Sequence, residues 1–155
     1  MQSARKEDGA VLVEFALVLV PLLLIIFGFL QFGIALNAKI DSTHLTAEGA
    51  RDIAVNQNPG LSETPATSMQ NYLRSRADTD YLKLATVCVE YPTNPATSTS
   101  AKVGDPVRVT MARVYSILPI VGNNLVPQIT SLNVTSEATM RLEALPTNVT
   151  QGCTT

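Results

Sequence analysis

The chain has 155 residues, a net charge of -2, 46% hydrophobic and only 15% charged residues, enough for one domain plus a membrane segment but not for two ordinary domains. Its lysines and arginines are scattered, which argues against a nucleic-acid role, and the absence of Trp with 5% aromatics argues against a large aromatic cleft. Two cysteines, Cys88 and Cys153, suit one disulfide but neither a disulfide framework nor a four-ligand zinc site.

The chain opens with a short hydrophilic stretch, Met1 to Gly9. From Ala10 to Leu36 the only formal charge is Glu14. Those 27 residues would make about 40 Å of helix at roughly 1.5 Å per residue. That exceeds a hydrocarbon core of about 30 Å, so residues 10–36 are expected to form a membrane-spanning helix with room for tilt. Pro21 lies inside it, where the lost hydrogen bond predicts a kink that membrane helices tolerate. A secretory signal peptide has an apolar region of only about 7–15 residues before a small-residue cut. Here the run is longer, and Gln31 to Ala38 is a poor Ala-x-Ala match. Arg5 and Lys6 precede the span and the next cation is Lys39, so the N-terminus is expected on the cytoplasmic side and residues 37–155 outside.

A carboxylate close to the start of such a helix admits two readings. In the first, Glu14 lies within a turn of the headgroups and is solvated, at a cost below the roughly 2–3 kcal/mol of the bilayer centre. The second takes in the residues before it. Gly9, then Ala10-Val11-Leu12-Val13-Glu14-Phe15, looks like a type IV prepilin processing site, with cleavage after Gly9 and Glu14 as the fifth mature residue. Cleavage would free an ammonium on Ala10. That group and the Glu14 carboxylate stand at i and i+4, within reach of each other in one helix or between neighbours.

The helical spacing continues outside the membrane through Ile40, Leu45, Ala47, Ala50, Ile53 and Ala54, until Asn56-Gln57-Asn58-Pro59-Gly60 breaks it. Over this stretch the sequence resembles the TadE/TadG-like family. The segment Gly9 to Leu24 has the family's opening, and Phe27-Gly28-Phe29-Leu30-Gln31-Phe32-Gly33 stands where members usually carry Gly-x-x-Glu-Phe-Gly. Gln31 replaces the usual glutamate. Ala47-Glu48-Gly49-Ala50-Arg51 matches the family's Ala-x-Glu-Gly-Ala-Arg box, with Thr46 where alanine or arginine is more usual. The resemblance covers residues 9–54. It implies a TadE-like minor pseudopilin, processed by a prepilin peptidase and supporting assembly of a bacterial Flp/Tad pilus or secretion system. It also implies a single pass through the inner membrane, a domain on the periplasmic or extracellular side, and a link to adhesion. The implied partners are other pilins and pseudopilins, inner-membrane assembly proteins and the peptidase, with no nucleic acid, cofactor, metal or small-molecule substrate.

Beyond the span the sequence predicts a small α+β domain. A short helix is expected after Thr64, with Pro65 at its first position and Met69, Tyr72 and Leu73 on one face. Three β runs follow: Tyr81 to Tyr91, Val107 to Val114, and Leu132 to Glu143. In the last, Leu132, Val134, Ser136, Ala138, Met140 and Leu142 alternate with polar residues, which is period two with one wet face. A three-stranded antiparallel sheet packed on the extracellular part of the helix is expected, in a pilin-like fold. Pro92 to Lys102 reads as a polar loop. Ile117 to Pro127 is apolar, and reads either as a flap over the core or membrane or as a docking surface.

An outer compartment is oxidising, and a Cys88–Cys153 bond would close a loop of about 64 residues, stabilise by a few kcal/mol and pin the tail from Pro146 to Thr155. The alternatives are a buried Cys88 with a free Cys153, or an intermolecular bridge. Two matches to the glycosylation sequon, at Asn133 and Asn148, read as chance. No enzyme is expected. His44 is the one histidine, and Asp41, Ser42 and His44 do not converge from one helix as a triad does. Phosphate loops, dinucleotide fingerprints and metal-ligand clusters are missing from the sequence, and Asp78 and Asp80 read as turn residues. Three roles remain: a processed pseudopilin, a permanently anchored scaffold that keeps residues 1–9, and a secreted module cut near Ala38.

Overall fold

The computed structural model describes residues 4–60, 68–93, 101–116 and 131–154. Helix α1 spans Ala4–Ala54 and α2 spans Ser68–Ser75, followed by a 3-10 turn at Leu82–Leu84. Four strands follow: β1 Thr86–Glu90, β2 Pro106–Ser116, β3 Ser131–Arg141 and β4 Gly152–Thr154. The chain divides into two compact units, Met1–Ile34 and Ala35–Thr155, with the boundary inside α1.

The described residues of the first unit are all helix, and α1 continues through Pro21. In the second unit the buried positions of α1 are Ala35, Ala38, Ser42, Leu45, Thr46, Gly49, Ala50, Ile53 and Ala54. Spacings of three and four put them on one stripe. That stripe shares a core with Met69 and Leu73 of α2 and with Val87, Val89, Val107, Val109 and Met111 of the sheet. The helix ends where the Asn-Pro-Gly punctuation predicts. Asn56 takes a positive φ of 57°, the left-handed conformation that commonly closes a helix and that Asn tolerates.

The sheet is antiparallel in the order β3-β2-β1-β4, so it has four strands rather than the expected three. The added strand is three residues long, too short to show alternation. Its position comes from long-range pairing: Cys153 stands opposite Cys88 in register and is bonded to it. Gln70 Nε2 also donates to Thr150 O at 3.3 Å and Gly152 O at 3.2 Å, which fixes the approach to β4. Strand β1 is shorter than the Tyr81–Tyr91 run suggested. The Leu82 and Lys83 amides donate to Thr79 O, so the turn begun at Asp78 winds on as a 3-10 turn and the extended backbone starts at Thr86.

On β3 the alternation holds where the core needs it, with Val134 and Ser136 buried between exposed Asn133, Thr135 and Glu137. Ser136 is a polar residue on the inner face, and α1 satisfies it. Its hydroxyl lies 2.6 Å from Ser42 Oγ and 3.2 Å from Thr43 Oγ1, and it accepts from Lys39 Nζ at 3.1 Å. Lys39 Nζ also donates to Thr135 O. A buried hydroxyl without partners would cost about 1–3 kcal/mol, so this cluster fixes where β3 lies against the helix. At the other end of the strand, Glu143 N and Ala144 N donate to Ala54 O at 2.7 and 3.1 Å.

The tail is held by amide side chains. Asn56 Oδ1 accepts from the Thr147 and Asn148 amides, and Asn58 Nδ2 donates to Asn148 O at 2.7 Å. In α2, Met69 and Leu73 are fully buried and Tyr72 is partly so, the face read from the sequence. Pro65, most of the polar loop from Pro92 to Lys102, and the apolar stretch from Ile117 to Pro127 lie outside the described residues.

Candidate functional site

The first part of the candidate site is the N-terminal half of α1. Gly9, Ala10, Glu14 and Phe15 all lie within the helix and are exposed. So are the large apolar residues from Val11 to Leu36, Leu19 apart, from 40% at Leu23 to 75% at Phe29. A helix this apolar, with a mean hydropathy of 2.9 over its best window, is long enough to cross a membrane. Water is a poor solvent for such a surface, which at roughly 25 cal/mol per Å² favours burial in lipid or against other apolar helices. Glu14 is the one charge on it, and Ala10 stands one turn before Glu14 on the same helix, the i, i+4 relation expected from the sequence.

The second part is the box at Glu48, Gly49 and Arg51, which lies in the other unit. Its central residue acts by lacking a side chain. A Cβ placed on Gly49 would stand 2.6 Å from Leu73 Cδ1 and 3.1 Å from Leu73 Cδ2, so glycine is what lets α2 come this close. Next to it Ala50 is fully buried. Glu48 reaches Arg76, just past α2, at 3.9 Å, an exposed and loose ion pair of small energetic weight. Arg51 is exposed in the last turn, where a cation complements the helix carbonyls. Burial pushes the neighbouring Asp52 carboxyl up, with Glu48 adding to the rise and Arg51 opposing it. Thr46 departs from the family pattern at a buried position, yet its hydroxyl donates to Ser42 O and Thr43 O, both at 3.0 Å, so no polar group is stranded. The box therefore seats α2 on α1.

The structure brings Cys88 and Cys153 together as an intrachain disulfide across β1 and β4, at a sequence separation of 65. It leaves Asp41, Ser42 and His44 apart in environment. Ser42 is buried against Ser136, His44 is exposed, and Asp41 Oδ2 accepts the Asp78 amide at 3.0 Å. On the outer sheet face Thr86, Ala112 and Thr135 are register neighbours beside a hollow of about 400 Å³, also lined by Arg113, Val114 and Asn133. Among the described residues, no three or more His, Cys, Asp or Glu side chains gather as they would around a metal ion.

Sequence reasoning missed Leu73 as the partner of Gly49 and Lys39 as the tie to β3. A glycine inside an otherwise helical pattern is a signal of close approach, and it was available. Lys39 offered none, because its partners are 96 and 97 residues away.

A single long, exposed apolar helix near the N-terminus, running on into a compact α+β unit, is the layout of a single-pass membrane-anchored protein. Residues 9–51 match the family model of TadE-like proteins, a likeness that covers the apolar part of α1 and the box and not the rest of the chain. The match begins at the Gly9 of the proposed processing site and stops at the Arg51 of the box. Neither the curated proteins nor the solved structures include a match to the chain.

Proposed function

We propose that this chain is a minor pseudopilin, a membrane-anchored and non-enzymatic assembly factor of a Flp/Tad-type pilus or secretion system, processed after Gly9 by a prepilin peptidase. The observation that carries the reading is the order of features on α1: Gly9-Ala10, then Glu14, then an exposed apolar run, then the Glu48-Gly49-Ala50-Arg51 box. Cleavage leaves an ammonium on Ala10. A bare carboxylate is costly in lipid, and pairing of Glu14 with that ammonium, in its own helix or a neighbour's, offsets the cost and sets axial register as helices pack. Residues 37–155, braced by the disulfide, then present their surface to adjoining pilins on the periplasmic or extracellular side.

A second reading, a permanently anchored scaffold that keeps residues 1–9, has one observation in its favour. Helix α1 runs through Gly9 without a break, so a peptidase must first unwind a turn there. Gly9 lowers that cost by about 1 kcal/mol relative to alanine. Intact mass and N-terminal sequencing of protein from membranes, with and without the peptidase, decide between the two. A chain starting at Ala10 only with the peptidase supports the pseudopilin. A chain starting at Met1 in both overturns it.

A further inference from the structure

Strand β3 is an edge of the sheet, and at 11 residues it is a long one. Successive residues of an antiparallel strand turn their backbone N–H and C=O groups to opposite sides. The Leu142 amide donates to Asp105 O and Leu142 O accepts from Gly104 N, so the even-numbered positions of this stretch face β2. The odd-numbered ones face outwards. Two of them are tied to α1: Thr135 O accepts from Lys39 Nζ, and Glu143 N donates to Ala54 O. Between those ties the backbone groups of Glu137, Thr139 and Arg141 point off the edge, and no described residue is hydrogen-bonded to them. A strand edge in that state is a template for another strand.

The side chains say which strand. The open stretch is centred on Thr139, midway between Thr135 and Glu143. A second β3 laid antiparallel about that centre sets Thr139 opposite Thr139, and Glu137 opposite Arg141 of the other copy on either side of the axis. These side chains share the outer sheet face, where opposite charges across strands are stabilising. Arg141 is exposed and enters no ion pair among the described residues. Glu137 lies 3.0 Å from Arg108 of its own sheet, yet its side chain is 51% exposed and a carboxylate has room for a second cation. On the inner face the same register sets Ala138, partly buried, opposite Met140, which is 37% exposed. Moving the centre to position 137 would instead set two glutamates face to face.

We propose that β3 is a self-association edge, pairing with β3 of a second copy antiparallel about Thr139, through about six backbone hydrogen bonds and the Glu137–Arg141 pairs. Contacts of Ser42 with Ser136 and of Ala54 with Glu143 show that β3 and the Ala35–Ala54 stretch of α1 run in the same direction. Those stretches are therefore antiparallel in the pair, and the contact joins copies inverted relative to one another. The inference concerns the Ala35–Thr155 unit and stands apart from the processing of residues 1–9.

Detergent solution lets copies meet in either orientation, so the full chain is tested there. Thr139→Cys adds one thiol to a chain whose two cysteines are bonded to each other, and a short bis-maleimide captures it without disturbing the disulfide. Cross-linking to a dimer is expected several-fold above that of Glu90→Cys, an exposed position on the same sheet face. In the Thr139→Cys background, Glu137→Arg alone or Arg141→Glu alone sets like charges across the axis and should lose most of the product. Mixed in equal amounts, the two variants present opposite charges to each other, and the dimer should return. A local defect, such as loss of the Arg108 ion pair, would not be repaired by mixing. Cross-linking at 139 no greater than at 90 overturns the proposal. A yield that ignores the charge reversals also overturns it and assigns association to the apolar helices, and failure of the mixture to recover removes the register. Capture of a different protein at position 139 in cell membranes, with no dimer, gives the edge to a partner's strand instead.

Discussion

Leu73 occupies the space that a side chain on Gly49 would need, with its Cδ1 only 2.6 Å from where a Cβ would stand. Leu73 is fully buried, so its methyls have little freedom to move aside. Two effects compete in Gly49→Ala. Overpacking costs about 1–3 kcal/mol, and the exchange of glycine for alanine within a helix returns about 1 kcal/mol. Net destabilisation of about 1 kcal/mol is expected by denaturant unfolding of the full chain in detergent. In a Leu73→Ala background the clash is gone, so the same substitution should become stabilising. An unchanged sign in the two backgrounds would rule out this contact as the reason for the glycine.

The disulfide ties a three-residue strand into the sheet, beside a short ladder with β1 and the Gln70 hydrogen bond to Gly152 O. Closing a loop of this size is worth about 4 kcal/mol in the chain-entropy model. Cys88→Ser with Cys153→Ser should lower stability by about 2–4 kcal/mol. Backbone amide exchange in residues 147–154 should rise before that in β2, because a three-residue strand and side-chain hydrogen bonds such as those from Gln70 and Asn58 open more readily than the eleven-residue β2–β3 ladder. Equal loss of protection in β2 and β4 would count against the disulfide as a local latch.

What the sequence made legible follows the range of the interactions involved. The long helix, its end near Asn56, the Met69–Leu73 face and the alternation on β3 are set by residues within a turn or two of one another, so periodicity reveals them. Strand β4 has no period to read. The 3-10 turn at Leu82–Leu84 is hidden because Tyr, Leu and Leu suit a strand equally well, and Thr79 O decides the matter by accepting two amides. In the candidate site the box was visible as a motif, but what its glycine faces was not, since Leu73 lies 24 positions further along. The Lys39–Ser42–Ser136 cluster is more distant still.

Tyr91 is wholly buried and its hydroxyl donates to Val149 O at 3.4 Å. Burial pushes its pKa up to about 12, above an ordinary value near 10. A raised folded-state pKa means that its contribution is fully present below pH 10 and is lost as pH climbs through about 12. Unfolding free energy should therefore fall by roughly 2–3 kcal/mol across that window. Tyr81 is shifted the same way by burial and adds to the slope. Tyr91→Phe should remove most of the fall while changing stability little near neutral pH. An alkaline unfolding profile with the same slope in both proteins would show that Tyr91 does not carry it.

Glu14 is the single formal charge between Ala10 and Leu36, on an exposed helical surface that is otherwise apolar. If its work is solvation at the headgroups, removing it makes the segment more lipophilic and nothing else suffers. If it pairs with the Ala10 ammonium, removing it leaves that ammonium without a partner and erases the axial register. Glu14→Ala is therefore expected to insert in the membrane at wild-type levels, and to be cut after Gly9, yet to support far fewer pili. Glu14→Asp retains the charge but shortens its reach, so intermediate piliation is expected. Normal piliation in Glu14→Ala, measured by shearing and counting filaments, would leave the carboxylate as a solvated bystander and shift the register to the packing of the apolar side chains alone.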